Sequence, residues 1–187
     1  LDPYSASVVI TNVDGEVLAL VTYPSYDNNK LANSIDSDYY ASLRSDLSNP
    51  LWNYATQQKT APGSTFKMVS STAALCENVV DTYGKIKCTG IFDRFTNEQY
   101  RCWVHPGAHG SLNVTGGIEN SCNAFFYEVG YQLSQDEDGS YDAELGLNTL
   151  YKYADMFGLS DKSGIEIEES IPEVSDEYPV LSAIGQG

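Results

Sequence analysis

A predicted β-hairpin near the start of the chain is the feature that most constrains the fold. Residues 7–13 and 16–22 are rich in β-branched side chains, and Asp14-Gly15 stands between them. An Asp-Gly pair supplies the positive φ angles that a two-residue hairpin turn requires. Because an isolated two-stranded hairpin is only marginally stable, we expect it to be the edge of a larger antiparallel sheet whose other strands follow Gly187.

Helical spacing of apolar residues prevails in three later segments. The first begins near Ser64, directly after Pro62-Gly63, and the second runs over residues 118–133. The third covers residues 147–157, and Gly158 is well suited to end it. A hairpin followed mainly by helices favours the α+β fold class.

Length and charge narrow the function classes. The 187 residues carry a formal net charge of −16, which repels nucleic-acid backbones and anionic membrane surfaces alike. Apolar runs such as Val17 to Val21 fall far short of the ~20 residues that span a bilayer. The chain starts at Leu1 rather than Met, and no low-complexity linker divides it. We therefore expect residues 1–187 to be a piece of one domain, with any membrane anchor outside this segment.

A serine and a lysine share one face of the first predicted helix, in Ser64-Thr65-Phe66-Lys67. Serine needs a base to act as a nucleophile at neutral pH, and a neutral lysine can serve. With its ordinary pKa of about 10.4, a lysine is neutral in only ~0.04% of molecules at pH 7. The site must therefore bury Lys67 or place a cation beside it. A serine at a helix start is more often only a cap, so this pair alone does not establish catalysis.

A second hydroxyl and an amide stand close together in Ser121-Cys122-Asn123. A second serine can relay a proton between a lysine and a leaving amine, and an asparagine can hydrogen-bond an amide substrate and the lysine. Taken alone, the triplet is equally well explained as a polar cluster at a helix end.

Together these segments resemble the transpeptidase domain of class B penicillin-binding proteins. The resemblance covers most of the chain and implies a partial penicillin-binding transpeptidase fold, consisting of its helical portion plus the N-terminal β-hairpin. It also implies that Ser64 is the acylated nucleophile, Lys67 its general base, and Ser121 with Asn123 the proton relay and substrate contacts. The matching stretches are residues 17–26 (V-L-A-L-V-T-Y-P-S-Y), 61–68, 107–127, 157–168 (F-G-L-S-D-K-S-G-I-E-I-E) and 183–187 (A-I-G-Q-G).

The activity implied by this resemblance is that of a serine D,D-transpeptidase. Such an enzyme is acylated by the D-Ala-D-Ala end of a peptidoglycan stem peptide, releases D-Ala and passes the acyl group to a neighbouring amine. It needs no cofactor for catalysis, is acylated by β-lactams, and acts at the extracytoplasmic face of a bacterial membrane. A glycosyltransferase or another protein of the division or elongation machinery is the expected partner.

Two other functions stay open at this point. One is a β-lactam sensor or non-catalytic cell-wall scaffold. The other is a serine β-lactamase, although no segment resembles the base that such an enzyme needs for deacylation.

The family's third motif, Lys-Thr-Gly, does not occur in the chain. Lys162 is followed by Ser163-Gly164 but belongs to the earlier Phe-Gly-Leu segment. We expect the third motif on a strand beyond Gly187, so residues 1–187 alone should lack a complete active site.

Cysteines and histidines gather between Cys88 and Cys122. A tetrahedral zinc site would use Cys88, Cys102, Cys122 and one histidine. Some elongation-type members of the family hold zinc at the matching place, and His109 fits their Gly-His-Gly context better than His105 does.

Two alternatives to zinc remain open for these cysteines. A Cys88–Cys102 disulfide suits an extracytoplasmic protein and would stabilise it by about 3 kcal/mol. In the other, the thiols are unpaired, with Cys76 and Cys122 as small core residues on apolar helical faces.

Overall fold

The structure, a computed structural model, describes residues 3–176 and 178–186. Two compact units make up the chain. The first holds the residues up to Lys59 together with Gly164–Ile171, and the second holds Thr60–Ser163 and the residues from Pro172 onward. The outermost residues of the predicted domain, Leu1, Asp2 and Gly187, lie outside the described residues.

The first unit opens with the predicted hairpin. Strand β1 (Ala6–Thr11) pairs antiparallel with β2 (Val17–Tyr23), and Ala6 lies opposite Tyr23. Between Ile10 and Thr11 the register shifts at a bulge-like irregularity. The hairpin is therefore confirmed, and its strands pair as the sequence pattern indicates.

The predicted two-residue turn at Asp14-Gly15 is wrong. Residues 12–16 form a longer loop, in which Asn12 Oδ1 accepts hydrogen bonds from the N–H groups of Asp14 and Glu16 at 3.0 and 2.9 Å. Gly15 adopts a φ of 86°, which explains why glycine stands there. The side chain of Asn12 competes successfully with the tighter turn, because it satisfies two backbone donors at once.

The first unit also contains two α-helices. Helix α1 (Ser37–Ser45) is capped by Asp36, whose side chain accepts the N–H of Tyr39. Helix α2 (Tyr54–Gln57) is capped by Asn53, and the Thr22 hydroxyl donates to the Asn53 side-chain oxygen at 2.9 Å. This bond connects α2 to strand β2.

The second unit is mainly helical around α5. Phe125, Phe126 and Val129 of α5 are almost completely buried, and α5 packs against α3, α6 and α7. Two short antiparallel pairs, β3 with β6 and β4 with β5, complete the unit. Its elements are α3 (Lys67–Cys76), β3 (Ile86–Cys88), β4 (Ile91–Phe92), β5 (Tyr100–Arg101), β6 (Gly110–Leu112), α4 (Val114–Glu119), α5 (Asn123–Leu133), α6 (Ala143–Met156) and α7 (Pro179–Ser182).

The predicted helices are found, with one break. A 3-10 turn over Gly63–Phe66 leads into α3, and Gly158, with a φ of 73°, follows α6 as predicted. The segment 118–133 is two helices rather than one, because Ser121 has a φ of 46° between α4 and α5. Apolar spacing continues across this break, so periodicity alone did not reveal it.

The prediction that Cys76 lies in the core is wrong. Cys76 is the last residue of α3 and is exposed, whereas Cys122 is fully buried. Within residues 3–176 and 178–186, no helix is both long enough and apolar enough to cross a membrane.

Candidate active site

Ser64 and Lys67 lie at the junction of the 3-10 turn and α3. Residues three apart in a 3-10 turn are nearly eclipsed, and Lys67 Nζ lies 3.1 Å from Ser64 Oγ. Ser64 is exposed, whereas Lys67 is only 2% exposed. An accessible hydroxyl therefore lies against a buried amine.

Lys67 Nζ contacts four oxygen atoms. Besides Ser64 Oγ, these are the Ser121 carbonyl oxygen at 2.9 Å, Ser121 Oγ at 3.0 Å and Asn123 Oδ1 at 2.7 Å. The carbonyl and amide oxygens can only accept hydrogen bonds, while the two hydroxyls can also donate. A neutral amine therefore gives its two protons to the Ser121 carbonyl and Asn123 and turns its lone pair toward the hydroxyls.

The two hydroxyls also contact each other. Ser121 Oγ lies 3.0 Å from Ser64 Oγ, so Ser64, Lys67 and Ser121 form a closed triangle of hydrogen bonds. The left-handed backbone of Ser121 presents both its carbonyl and its side chain to Lys67. For a residue other than glycine this conformation costs on the order of 1–3 kcal/mol, which the contacts with Lys67 help to offset.

Burial lowers the pKa of Lys67, while the neighbouring side chains of Cys122 and Cys102 act in the opposite direction. Burial disfavours the charged form of an amine, so the neutral form is present at a lower pH than in an ordinary lysine. Desolvation of Lys67 is one of the two conditions under which a lysine beside a serine can act as its base.

The residues predicted as metal ligands also come together. Cys88 Sγ, Cys102 Sγ, Cys122 Sγ and a ring nitrogen of His109 all lie within 4.8 Å of one another. Cys88 ends β3 and pairs with Gly110 of β6, which follows His109. Cys122 caps α5 by accepting the N–H of Phe125 at 3.4 Å. Among the described residues all four cysteines are free thiols, and His105 is not part of the cluster.

The distances within the cluster suit tetrahedral zinc. A tetrahedral ion with ordinary Zn–S and Zn–N bonds separates two sulfurs by about 3.8 Å and a sulfur from a nitrogen by about 3.6 Å. Cys102 and Cys122 Sγ are 3.9 Å apart, and His109 Nδ1 lies 3.7 Å from the sulfurs of Cys88 and Cys102. Three thiols and an imidazole are also the donors that zinc prefers.

Trp103 is a neighbour of both sites that the sequence pattern did not reveal. Its Nε1–H donates to the carbonyl oxygen of Asn120 at 3.1 Å, and its ring centroid lies 5.2 Å from that of His109. The side chain is 64% exposed. A lone tryptophan in a loop carries no periodic signal, so only its contacts reveal its place.

Ser64 and Lys67 lie beside the Ser121-Cys122-Asn123 triplet, which is the arrangement expected for a penicillin-binding protein. Residues 6–187 match the model of the penicillin-binding protein transpeptidase domain. The chain therefore belongs to the penicillin-binding protein transpeptidase family.

Curated relatives narrow the comparison within this family. The chain is 35% identical over 171 residues to the peptidoglycan D,D-transpeptidase MrdA of Escherichia coli K12, covering 88% of this chain and 24% of that protein. The chain is 34% identical over 170 residues to MrdA of Haemophilus influenzae, covering 88% of this chain and 23% of that protein. The chain thus spans about a quarter of the length of these relatives.

Solved structures show the same fold. Penicillin-binding protein PBP2 from Helicobacter pylori superposes with a TM-score of 0.84 at 23% identity, over 97% of this chain and 35% of that one. A protein of a peptidoglycan synthase complex superposes with a TM-score of 0.81 at 29% identity, over 98% of this chain and 32% of that one. The ceftriaxone acyl-enzyme of penicillin-binding protein A from Mycobacterium tuberculosis superposes with a TM-score of 0.71 at 25% identity, over 92% of this chain and 38% of that one.

Proposed function

We propose that the protein is a serine D,D-transpeptidase that cross-links peptidoglycan stem peptides through an acyl-enzyme. The observation that carries this proposal is the buried Lys67 amine, within hydrogen-bond distance of Ser64, Ser121 and Asn123. The names of the MrdA relatives support the same activity.

Acylation begins with proton transfer from Ser64 to neutral Lys67. The freed Ser64 oxygen attacks the carbonyl carbon of the penultimate D-Ala, and a C–O bond forms. Lys67 then returns the proton through Ser121 to the nitrogen of the terminal D-Ala as the C–N bond breaks. D-Ala leaves as an amine, and Lys67 is neutral again.

Transfer to the acceptor reverses these proton movements. An amine of a neighbouring stem peptide attacks the ester carbonyl and gives up a proton through Ser121 to Lys67. Collapse of the tetrahedral intermediate breaks the bond to Ser64 Oγ, which takes the proton back. Asn123 holds Lys67 by its amide oxygen, and its amide N–H₂ is a donor that can bind the substrate backbone.

β-Lactams are the proposed inhibitors, because their strained amide offers the same carbonyl to Ser64. The ceftriaxone acyl-enzyme of the Mycobacterium tuberculosis protein supports this reaction. We further propose that the protein acts outside the cytoplasmic membrane as part of a peptidoglycan synthase assembly, since one of its structural neighbours belongs to such a complex.

We also propose a structural zinc ion held by Cys88, Cys102, His109 and Cys122. The donor set and the sulfur and nitrogen spacings support this ion. When bound, the ion would cross-link β3, the loop before β6 and the start of α5. Elemental analysis of protein purified without chelator tests it, and a Cys88–Cys102 disulfide in metal-free protein would contradict it.

The experiment that tests the enzymatic proposal measures labelling by a fluorescent penicillin together with penicillin hydrolysis in the intact protein. A transpeptidase is labelled at Ser64 and hydrolyses the label slowly. Rapid turnover would indicate a β-lactamase. Stable labelling without transfer of stem peptide to an acceptor amine would indicate a sensor, and no labelling at all would indicate a scaffold.

A further inference from the structure

The turn that follows α7 contacts the backbone directly before the nucleophile. The N–H of Gly63 donates to the carbonyl oxygen of Gly185 at 2.9 Å, and Gly63 is the neighbour of Ser64. A Cβ atom at position 185 would lie 2.0 Å from the Gly63 oxygen and 2.7 Å from its nitrogen. Gly185 also has a φ of 75°. Glycine is therefore required there both by space and by backbone conformation.

The same turn makes a second contact, to α3. Ser70 Oγ donates to the carbonyl oxygen of Ala183 at 2.8 Å, with the Phe66 carbonyl as a longer alternative at 3.4 Å. Ser70 and Ala183 are both fully buried, and Ser70 lies one helical turn beyond Lys67. The turn thus holds the catalytic segment at two points, one on each side of the serine–lysine pair.

Helix α7, which carries this turn, is also closely packed on α5. A Cβ atom at Gly130 would lie 2.7 Å from the Pro179 carbonyl oxygen and 2.9 Å from the Ala183 side chain. Helix α5 begins with Asn123, the other contact of Lys67. One segment therefore touches both of the elements whose residues meet at Lys67.

We propose that Ser70 and Gly185 are positioning residues for acylation. Ser70 fixes the turn against α3, and Gly185 fixes Gly63, so the two together set the distance and direction from Ser64 Oγ to Lys67 Nζ. Neither side chain touches the reacting atoms. A displacement of about 1 Å can slow an enzymatic reaction by about 100-fold. Weakening the contact of Ser70 with Ala183, or of Gly185 with Gly63, should therefore slow the acylation of Ser64. The inference rests on the proposed function.

Ser134 offers a matched control for Ser70. Both serines are 0% exposed, and both donate from Oγ to a backbone carbonyl at 2.8 Å, with Gly130 as the acceptor of Ser134. Ser134→Ala should therefore resemble Ser70→Ala in its effect on stability. Only Ser70 is connected to the segment that carries Ser64.

The test measures acylation of the intact protein by a fluorescent penicillin over a range of concentrations. This separates the pre-acylation dissociation constant from the acylation rate constant. Ser70→Ala should lower the rate constant about tenfold with little change in the dissociation constant, and Ser70→Thr, which restores a hydroxyl, should recover part of the rate. Ser134→Ala should leave the rate constant unchanged. Partial unfolding lowers only the fraction of protein that is labelled, so it does not imitate this result.

Gly185→Ala is the stronger variant and should slow acylation further. If it fails to fold, Ser70→Ala alone decides. A wild-type rate constant in Ser70→Ala, or equal losses in Ser70→Ala and Ser134→Ala, would overturn this inference alone. Labelling that survives Ser64→Ala would overturn the proposed function and the inference with it.

Discussion

Lys67 Nζ lies 2.7 Å from Asn123 Oδ1, although the two residues are 56 positions apart in the chain. Each is the first residue of its helix, Lys67 of α3 and Asn123 of α5. The N-terminal end of a helix carries partial positive charge, so both ends add to the effect of burial in disfavouring the ammonium form. The two helix starts that meet at Lys67 therefore favour the neutral amine that the proposed mechanism requires.

Substitution of the nucleophile or its base gives the first prediction. Ser64→Ala should abolish covalent labelling by a fluorescent penicillin, and Lys67→Ala should slow it by about 10²–10⁴-fold, because proton removal loses its acceptor. Lys85→Ala, at an exposed lysine, should label normally. Labelling of the Ser64→Ala protein at one other serine, located by peptide mass mapping, would refute the assignment of Ser64.

The pH dependence of acylation gives the second prediction. Burial lowers the pKa of Lys67. In the proposed mechanism the neutral amine is the reactive form. The acylation rate constant should therefore rise with pH and level off above an apparent pKa that lies below the ordinary lysine value of about 10.4. Stopped-flow labelling across the pH range measures this. A rate constant that falls as the pH rises toward 9 would argue against Lys67 as the base.

Asn123 provides the third prediction, since two substitutions separate its roles. Asn123→Asp keeps an oxygen beside Lys67 but adds a negative charge, which favours the ammonium form and moves the rate profile to higher pH. Asn123→Ala removes the contact and should lower the rate at every pH without that upward shift. Identical profiles for the two variants would mean that the amide oxygen does not influence the amine.

Sequence patterns predict those features of the fold that depend on residues close together in the chain. The spacing of Ser64 and Lys67, the two hairpin strands and the stop at Gly158 each depend on a few neighbouring residues. The break at Ser121 did not appear, because the apolar positions on either side keep the same helical spacing. The loop closed by Asn12 was also missed, since Asp14-Gly15 is by itself a sound turn signal.

Local sequence patterns do not predict contacts between residues that are far apart in the chain. The hydrogen bond from Ser70 to Ala183 joins residues 113 positions apart. The sequence around either residue gives no indication that the two are in contact. The meeting of Lys67 with Ser121 and Asn123 was expected only through resemblance to a family. Periodicity tells which face of a helix is buried, but it does not tell what that face meets.

The fourth prediction concerns the contribution of the Arg94–Glu128 ion pair to the free energy of unfolding. Arg94 donates to both carboxylate oxygens of Glu128, at 3.0 and 2.7 Å, and Glu128 is only 8% exposed on α5. Arg94→Ala leaves a nearly buried carboxylate with Gln132 as its remaining donor. We expect a loss of about 1–3 kcal/mol in the free energy of unfolding, less than for a fully buried pair because the Arg94 side chain is half exposed.

A second ion pair serves as the control for this prediction. Lys152 lies 2.6 Å from Glu77, but both side chains are substantially exposed. Lys152→Ala should change the free energy of unfolding little, since exposed pairs are screened by water. Urea denaturation of both variants makes the comparison. An equal effect of the two substitutions would show that burial of Glu128 does not set the strength of its pair.

Cys122 gives the last prediction, because it lies between Ser121 and Asn123 and also belongs to the cysteine–histidine cluster. Cys122→Ser leaves a hydroxyl that can still cap α5 by accepting the N–H of Phe125, so the start of the helix should persist. It removes a thiolate from a site that suits zinc, so metal content and acylation rate should both fall. Cys76→Ser, at the exposed cysteine, should change neither. Zn–S distances near 2.3 Å by X-ray absorption would identify the ion. Full acylation by a Cys122→Ser protein that has lost its metal would show that the cluster stabilises the fold without setting the geometry of Ser121 and Asn123.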